Sequence, residues 1–248
     1  MIVTATDFGS TGPYLGQMKA VLAREAPGVT VIDLFTDLPA FEIQAAAYLL
    51  AAYVGEFVPG TVFLAVVDPG VGGARRAAVV RADGRWYVGP DNGLFNVIAR
   101  RAAQLQWWDI DWRPRQLSHT FHGRDLFAPV AARLARGDSV PGQPVEPATQ
   151  RLQDWPAELA RIVYVDRYGN LLSGMRAAGV REEDILEAGA LRLRHAWTFA
   201  DVERGQAFWY GNANGLVEIA VNQGRASELV GLHVGDAVRF QARRGERS

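Results

Sequence analysis

The sequence predicts an α/β N-terminal domain built on a mostly parallel sheet, followed by a small all-β C-terminal barrel domain. Three observations carry that prediction. β-rich runs alternate with helical stretches through the first hundred residues, a stretch rich in proline and glycine interrupts the alternation, and only short strands separated by turns come after it.

Ile2–Thr6 is a short apolar run rich in β-formers, and residues 29–34 and 61–67 are of the same kind. Between them lie helical stretches at Tyr14–Glu25 and residues 42–53, each ending near a Gly or Pro. This βαβαβ rhythm of near-continuous apolar strands implies parallel pairing, helices on both faces and right-handed crossovers. Residues 77–81 and 85–88, joined by Ala82-Asp83-Gly84, form a hairpin pattern, and residues 126–135 a further helix. From Gly137 to Pro156 the pattern lapses into turn-formers, which puts a linker at residues 146–158 between domains at 1–145 and 159–248. Beyond it, residues 161–165, 190–194, 207–210, 217–221 and 237–241 are strand-like, and their short spacing suits a small barrel.

Composition narrows the function. Of 248 residues, 49% are hydrophobic and 21% charged, ordinary globular usage that excludes wholesale disorder and fibrous repeats. A net charge of −1 gives no basic field, so nucleic acid is not an expected partner. The absence of cysteine excludes a disulfide framework, a thiolate zinc site, an iron–sulfur cluster and a cysteine nucleophile. The longest apolar run, residues 45–54, is too short to span a bilayer, and the opening residues Met1 to Asp7 lack a basic leader. A cytoplasmic protein with no membrane partner is the expectation.

In an open α/β sheet, ligands gather beyond the carboxyl ends of the strands. Two polar clusters fall there: Thr6-Asp7-Phe8-Gly9 after the first strand, and Asp68-Pro69-Gly70-Val71-Gly72-Gly73 after the third. Singly, Asp7 reads as a helix cap and the glycines as tight-turn residues. Together they point to one crevice. The glycine loop lacks the Lys-Ser/Thr of a P-loop and runs into a strand, so it makes a poor phosphate cradle. Asp68 leaves an apolar strand, where a carboxylate can act as a base when a cation supports it, and Arg75 or Arg76 can fold back onto it. Phe121-His122-Gly123-Arg124-Asp125 adds an imidazole in charged company ahead of a helix. Gly89-Pro90-Asp91-Asn92-Gly93 reads as a turn and helix cap with Asp91 structural, and Asp166-Arg167-Tyr168-Gly169-Asn170 as a hairpin turn. His119 and His122 do not fall in an HExxH or similar metal-ligand pattern, and there is no Gly-x-Ser-x-Gly elbow.

Read in order, these clusters and Leu216-Val217-Glu218-Ile219-Ala220 resemble the S-adenosylmethionine hydroxide adenosyltransferases, the adenosine-forming hydrolases related to the fluorinase and chlorinase. The resemblance covers residues 2 to about 240. It implies an α/β domain followed by a β-barrel, and trimers whose sites combine the N-terminal domain of one subunit with the C-terminal domain of its neighbour. It implies a hydrolytic trio of Asp68, Arg75 and His122. It also implies ribose recognition by Asp7 beside Phe8, a methionine-amine contact at Asp166, and an adenine side at Tyr168 and Asn170. Phe41 and Phe199 fall on apolar walls, and Asn212 and Asn214 near the methionine end. No cofactor and no metal are implied; S-adenosylmethionine is the substrate.

The residue types suit that chemistry. Attack at the ribose C5′ expels methionine from a sulfonium, and the leaving sulfur becomes neutral, so neither a general acid nor a metal has to carry charge away. Water is a poor nucleophile and needs orientation and a proton acceptor. Where the family has Asn-Ser-x-Gly, this chain has Asn212-Ala213-Asn214-Gly215, which removes a hydroxyl contact worth roughly 1.5–3 kcal/mol. Halide transfer is the alternative within the family, and a non-catalytic nucleoside-binding protein the alternative outside it. Halogenating relatives lack the trio and use a small pocket with a hydroxyl donor; here Gly123 follows His122.

Overall fold

The structure, a computed structural model, describes residues 1–146 and 154–241. The chain divides into two compact units, Met1–Asp154 and Trp155–Ser248.

The first unit is built on a seven-stranded sheet. β1 (Ile2–Thr6) leads to α1 (Tyr14–Glu25), β2 (Val31–Phe35), α2 (Ile43–Tyr53) and β3 (Val62–Val66). β1 pairs in parallel with both β2 and β3, as the alternation requires. β4 (Arg76–Ala82) and β5 (Arg85–Asp91) form the hairpin, followed by α3 (Asn96–Arg101), β6 (Leu105–Ile110), α4 (Ala128–Ala135) and β7 (Gly142–Val145). The order is β2-β1-β3-β5-β4-β6-β7, with β5 parallel to β3 and antiparallel pairing from β5 through β7. Five strands thus share one direction, and β4 and β7 oppose them.

Strand alternation sorts the core onto two faces. Ile2, Leu64 and Val66 pack against Met18 and Leu22 of α1 and Val130 and Leu134 of α4. Phe63 lies opposite, stacked on its register partner Tyr87, which also meets Phe95 ahead of α3. Two strands escape the sequence pattern. β6 ends in Trp107-Trp108-Asp109-Ile110 without clean alternation, and β7 falls inside the stretch read as structureless. Its Pro144 is tolerated because β7 is an edge strand.

The second unit holds β8 (Leu159–Val165), β9 (Leu171–Arg176), β10 (Ile185–Ala188), β11 (Leu191–Leu193), β12 (Ala207–Gly211), β13 (Leu216–Val221), the short α5 (Ala226–Val230) and β14 (Val238–Gln241). They form two antiparallel sheets, β11-β10-β14 and β12-β13-β9-β8, around Leu171, Leu186, Trp209, Val217 and Ile219. The barrel expectation is corrected here. Among the described residues the two sheets share that core and are joined at their edges by isolated bridges, Arg161↔Ala237 and His195↔Trp209, rather than by continuous strand pairing, so no closed barrel forms. No helix of the described chain is long and apolar enough to cross a membrane.

Candidate active site

β1 sits between β2 and β3: the chain runs outward from β1 to β2 and then crosses back past β1 to β3, so the carboxyl ends of β1 and β3 bound a crevice at a point where the sheet order reverses. Thr6 pairs with Val66, which brings Asp7 and Asp68 out side by side. A cavity of about 540 Å³ opens there, lined by Asp7, Phe8, Phe41, Asp68 and His122 among others.

Asp68 is nearly buried, its side chain 4% exposed, and Arg75 closes over it at 11%. Nε of Arg75 donates to both carboxylate oxygens, at 2.8 Å to Oδ1 and 3.0 Å to Oδ2, and Nη2 donates again to Oδ2. The same Nη2 lies 2.8 Å from Nδ1 of His122. A guanidinium has no lone pair to offer, so Nδ1 accepts and the imidazole proton sits on Nε2. Burial, and then the Arg75 charge, holds the His122 pKa below its usual value. Arg75 also lies over the Phe127 ring, 5.2 Å from its centroid. Of the two arginines considered for Asp68, Arg76 turns instead to Asp109 at 3.6 Å.

A π-helical turn, Gly123–Phe127, separates His122 from Phe127 and delivers both to Arg75. Such widened turns are frequent at functional sites. Asn92 braces the strand ends: its amide donates to the Val67 carbonyl, and its Oδ1 accepts from the Leu94 N–H. Asp7 accepts from the Phe41 N–H at 3.3 Å, and burial raises its pKa. Phe41 has φ of 65° and is 73% exposed. A bulky residue held in the left-handed region marks a locally enforced conformation, here on the cavity rim.

Among the cavity-lining side chains that the sequence did not single out are Tyr14, Gln17 and Phe121. Tyr14 and Phe121 stand edge-on at 5.4 Å, Phe8 joins them, and Gln17 reaches the same wall from α1. A helix opening directly behind the β1 loop is the signal that would have found Tyr14 and Gln17. Gly123 is tightly enclosed, and a side chain there would require its neighbours to shift by a few tenths of an ångström. A Cβ there would stand 3.1 Å from Met18 Sδ and 3.3 Å from Phe8 Cζ.

In the second unit, Asp166, Tyr168, Asn170 and Phe199 line a cavity of about 660 Å³ together with Tyr210 and Glu218. Asp166 accepts from the Asn170 backbone N–H at 2.8 Å and from its amide at 3.0 Å. Glu218, 5% exposed with its pKa raised by burial, accepts from Tyr210 and from the Asn212 amide. Asn212 and Asn214 are not among the residues lining this cavity. Asn212 Oδ1 accepts the N–H groups of Asn214 and Leu216 and staples the turn between β12 and β13. Among the described residues no group of three or more His, Cys, Asp or Glu is placed to hold a metal ion.

An Asp–Arg–His cluster beneath a cavity at the strand ends of an α/β sheet, with a β unit following in the chain, defines an enzyme acting on a small molecule. Residues 2–142 match the family model described as SAM hydroxide adenosyltransferase N-terminal domain, and residues 160–239 the corresponding C-terminal domain. The chain belongs to the SAM hydroxide adenosyltransferase family. It is 41% identical to an (R)-S-adenosyl-L-methionine hydrolase of Thermus thermophilus, over 95% of this chain and 97% of that protein. A fluorinase of Actinopolyspora mzabensis is more distant, 24% identical over 96% of each chain. A crystal structure of an uncharacterized conserved protein from Thermotoga maritima superimposes with a TM-score of 0.87 at 30% identity, covering 97% of this chain and 99% of that one.

Proposed function

We propose that this protein hydrolyses (R)-S-adenosyl-L-methionine to adenosine and L-methionine, by in-line attack of water at the ribose C5′. The observation that carries the reading is the single hydrogen-bonded unit formed by Asp68, Arg75 and His122 beneath the cavity. Oδ1 of Asp68 takes one N–H from Arg75 and keeps acceptor capacity for a water. His122, with its proton on Nε2, offers a donor and cannot serve as the base through that nitrogen. Asp68 is therefore the proton acceptor, and His122 orients the oxygen so that a lone pair faces C5′. The C5′–S bond breaks as the C–O bond forms, the electron pair goes to sulfur, and the water proton goes to Asp68 and on to solvent.

Asp7 receives the ribose diol, with Phe8 and Phe41 as apolar walls. The reading extends, on the family resemblance, to a homotrimer in the cytoplasm in which Asp166, Tyr168, Asn170 and Phe199 complete the site from a neighbouring subunit, with Asn212 and Asn214 shaping the turn that supports Glu218. No cofactor or metal enters it.

Turnover in ¹⁸O-labelled water, with chelator and high chloride present, tests the reaction. One label is expected at the 5′-hydroxyl of adenosine, with no 5′-halonucleoside. A halogenated product would establish halide transfer instead, absence of turnover would leave a nucleoside-binding protein, and loss of activity on chelation would restore a metal.

A further inference from the structure

Asp125 stands outside the trio, yet its carboxylate ties down the segment that carries His122. Oδ2 accepts the Ser118 N–H at 2.9 Å and Nη2 of Arg124 at 3.0 Å, while Oδ1 accepts Nε of Arg124 at 2.6 Å. Arg124 then extends the brace. Its Nη1 donates to Gln17 Oε1 on α1 at 2.9 Å, and its guanidinium lies over the Phe121 ring, 5.0 Å from the centroid. On the other side, Gly72 of the Asp68 loop packs so closely on the segment that a Cβ there would lie 2.4 Å from the His119 carbonyl oxygen. Residues 118–122 are thus fixed from two directions, and His122 leaves them already aimed at Arg75.

Resting on the hydrolase reading, we propose that Asp125 is a positioning residue for the reaction: through Ser118 and Arg124 it holds the His122 imidazole against Arg75 and the Phe121 ring in the cavity wall. The task needs a carboxylate, because a backbone N–H and a guanidinium fork have to be received together. Asparagine has one acceptor oxygen and turns an NH₂ group toward the fork. Four charged groups act on His122: Arg75 and Arg113 disfavour its imidazolium, and Asp68 and Asp125 favour it. Burial and Arg75 lead that set, so an imidazole released from its seat gains protons more readily even though the Asp125 charge is gone.

The test compares wild type, Asp125→Asn and Asp125→Glu by steady-state kinetics across pH and by NMR titration of His122. Asp125→Asn is expected to lower kcat roughly 10- to 100-fold, with a smaller change in KM, as misplacement of a reacting group does. The acid limb and the His122 titration should move up toward the ordinary histidine value, and Asp125→Glu should recover part of the rate. A folded Asp125→Asn protein with unchanged kcat, or with the titration unmoved or moved down, would overturn the proposal. Should that variant not fold, Arg124→Lys, which leaves the Ser118 bond and removes the fork, is read by the same criteria. Absence of turnover in wild type would refute the hydrolase reading alone, and the titration would still decide the role of Asp125.

Discussion

Arg75 Nη2 faces both a carboxylate and an imidazole lone pair, and protonation of His122 would set two cations against each other. The folded pKa of His122 lies below 6.5, so the acid limb of the kcat profile is expected below pH 6.5; a limb above that value would contradict the geometry. The linkage sign follows: the unfolded chain binds this proton more readily, so the group's contribution to stability is complete above about pH 6.5 and is lost as pH falls toward the folded value. Asp68→Asn, Arg75→Ala and His122→Ala should each lower kcat by roughly 10²-fold in single-turnover assays. Asp7 behaves oppositely. Burial penalises its charge, so at neutral pH it costs the native state stability, and that cost disappears as pH falls through its raised pKa. Asp7→Asn is expected to unfold at a higher temperature at pH 7, with the gap closing near pH 3.8, while adenosine binds roughly 10- to 100-fold more weakly in calorimetry.

At the scale of elements, the loop after β3 depends on one backbone setting. Gly72 has φ of 79° and no space for a Cβ beside His119. Gly72→Ala should therefore cost roughly 1–3 kcal/mol and displace Asp68, seen as a lower thermal midpoint together with reduced kcat. The sequence marked this loop by its glycines but held no sign that residue 119 would press on it, since that contact joins segments far apart in the chain. Helix and strand placement shows the same division. α1 was legible to the residue because its apolar positions face one core, whereas β7 was hidden by Pro144, a residue whose meaning depends on whether its strand lies at an edge. The π-turn after His122 had no local signature beyond the Gly123 that begins it.

For the whole molecule, light scattering at micromolar concentration is expected to give a mass near three times 27.1 kDa; a monomer would remove the trimeric part of the functional reading. Asp7 and Asp68 could be placed from sequence because each ends an apolar strand, and parallel pairing sets such ends side by side. The grouping of Arg75 with His122 came from the family resemblance alone, because strand order and spacing do not tell how the segment ahead of α4 approaches the sheet. One consequence reaches beyond the chemistry. Asp68 follows β3 and Arg75 precedes β4, and those strands are not neighbours: β5 runs between them. Their ion pair, buried at 4% and 11% exposure, is therefore also a clasp across the open end of the sheet. Leaving either charge unanswered there is a structural injury as well as a chemical one, of roughly 3–5 kcal/mol. A slowed form of the protein that keeps this clasp, suited to trapping substrate at short times, is better made by removing the imidazole of His122, which contacts Arg75 but carries neither of the two paired charges.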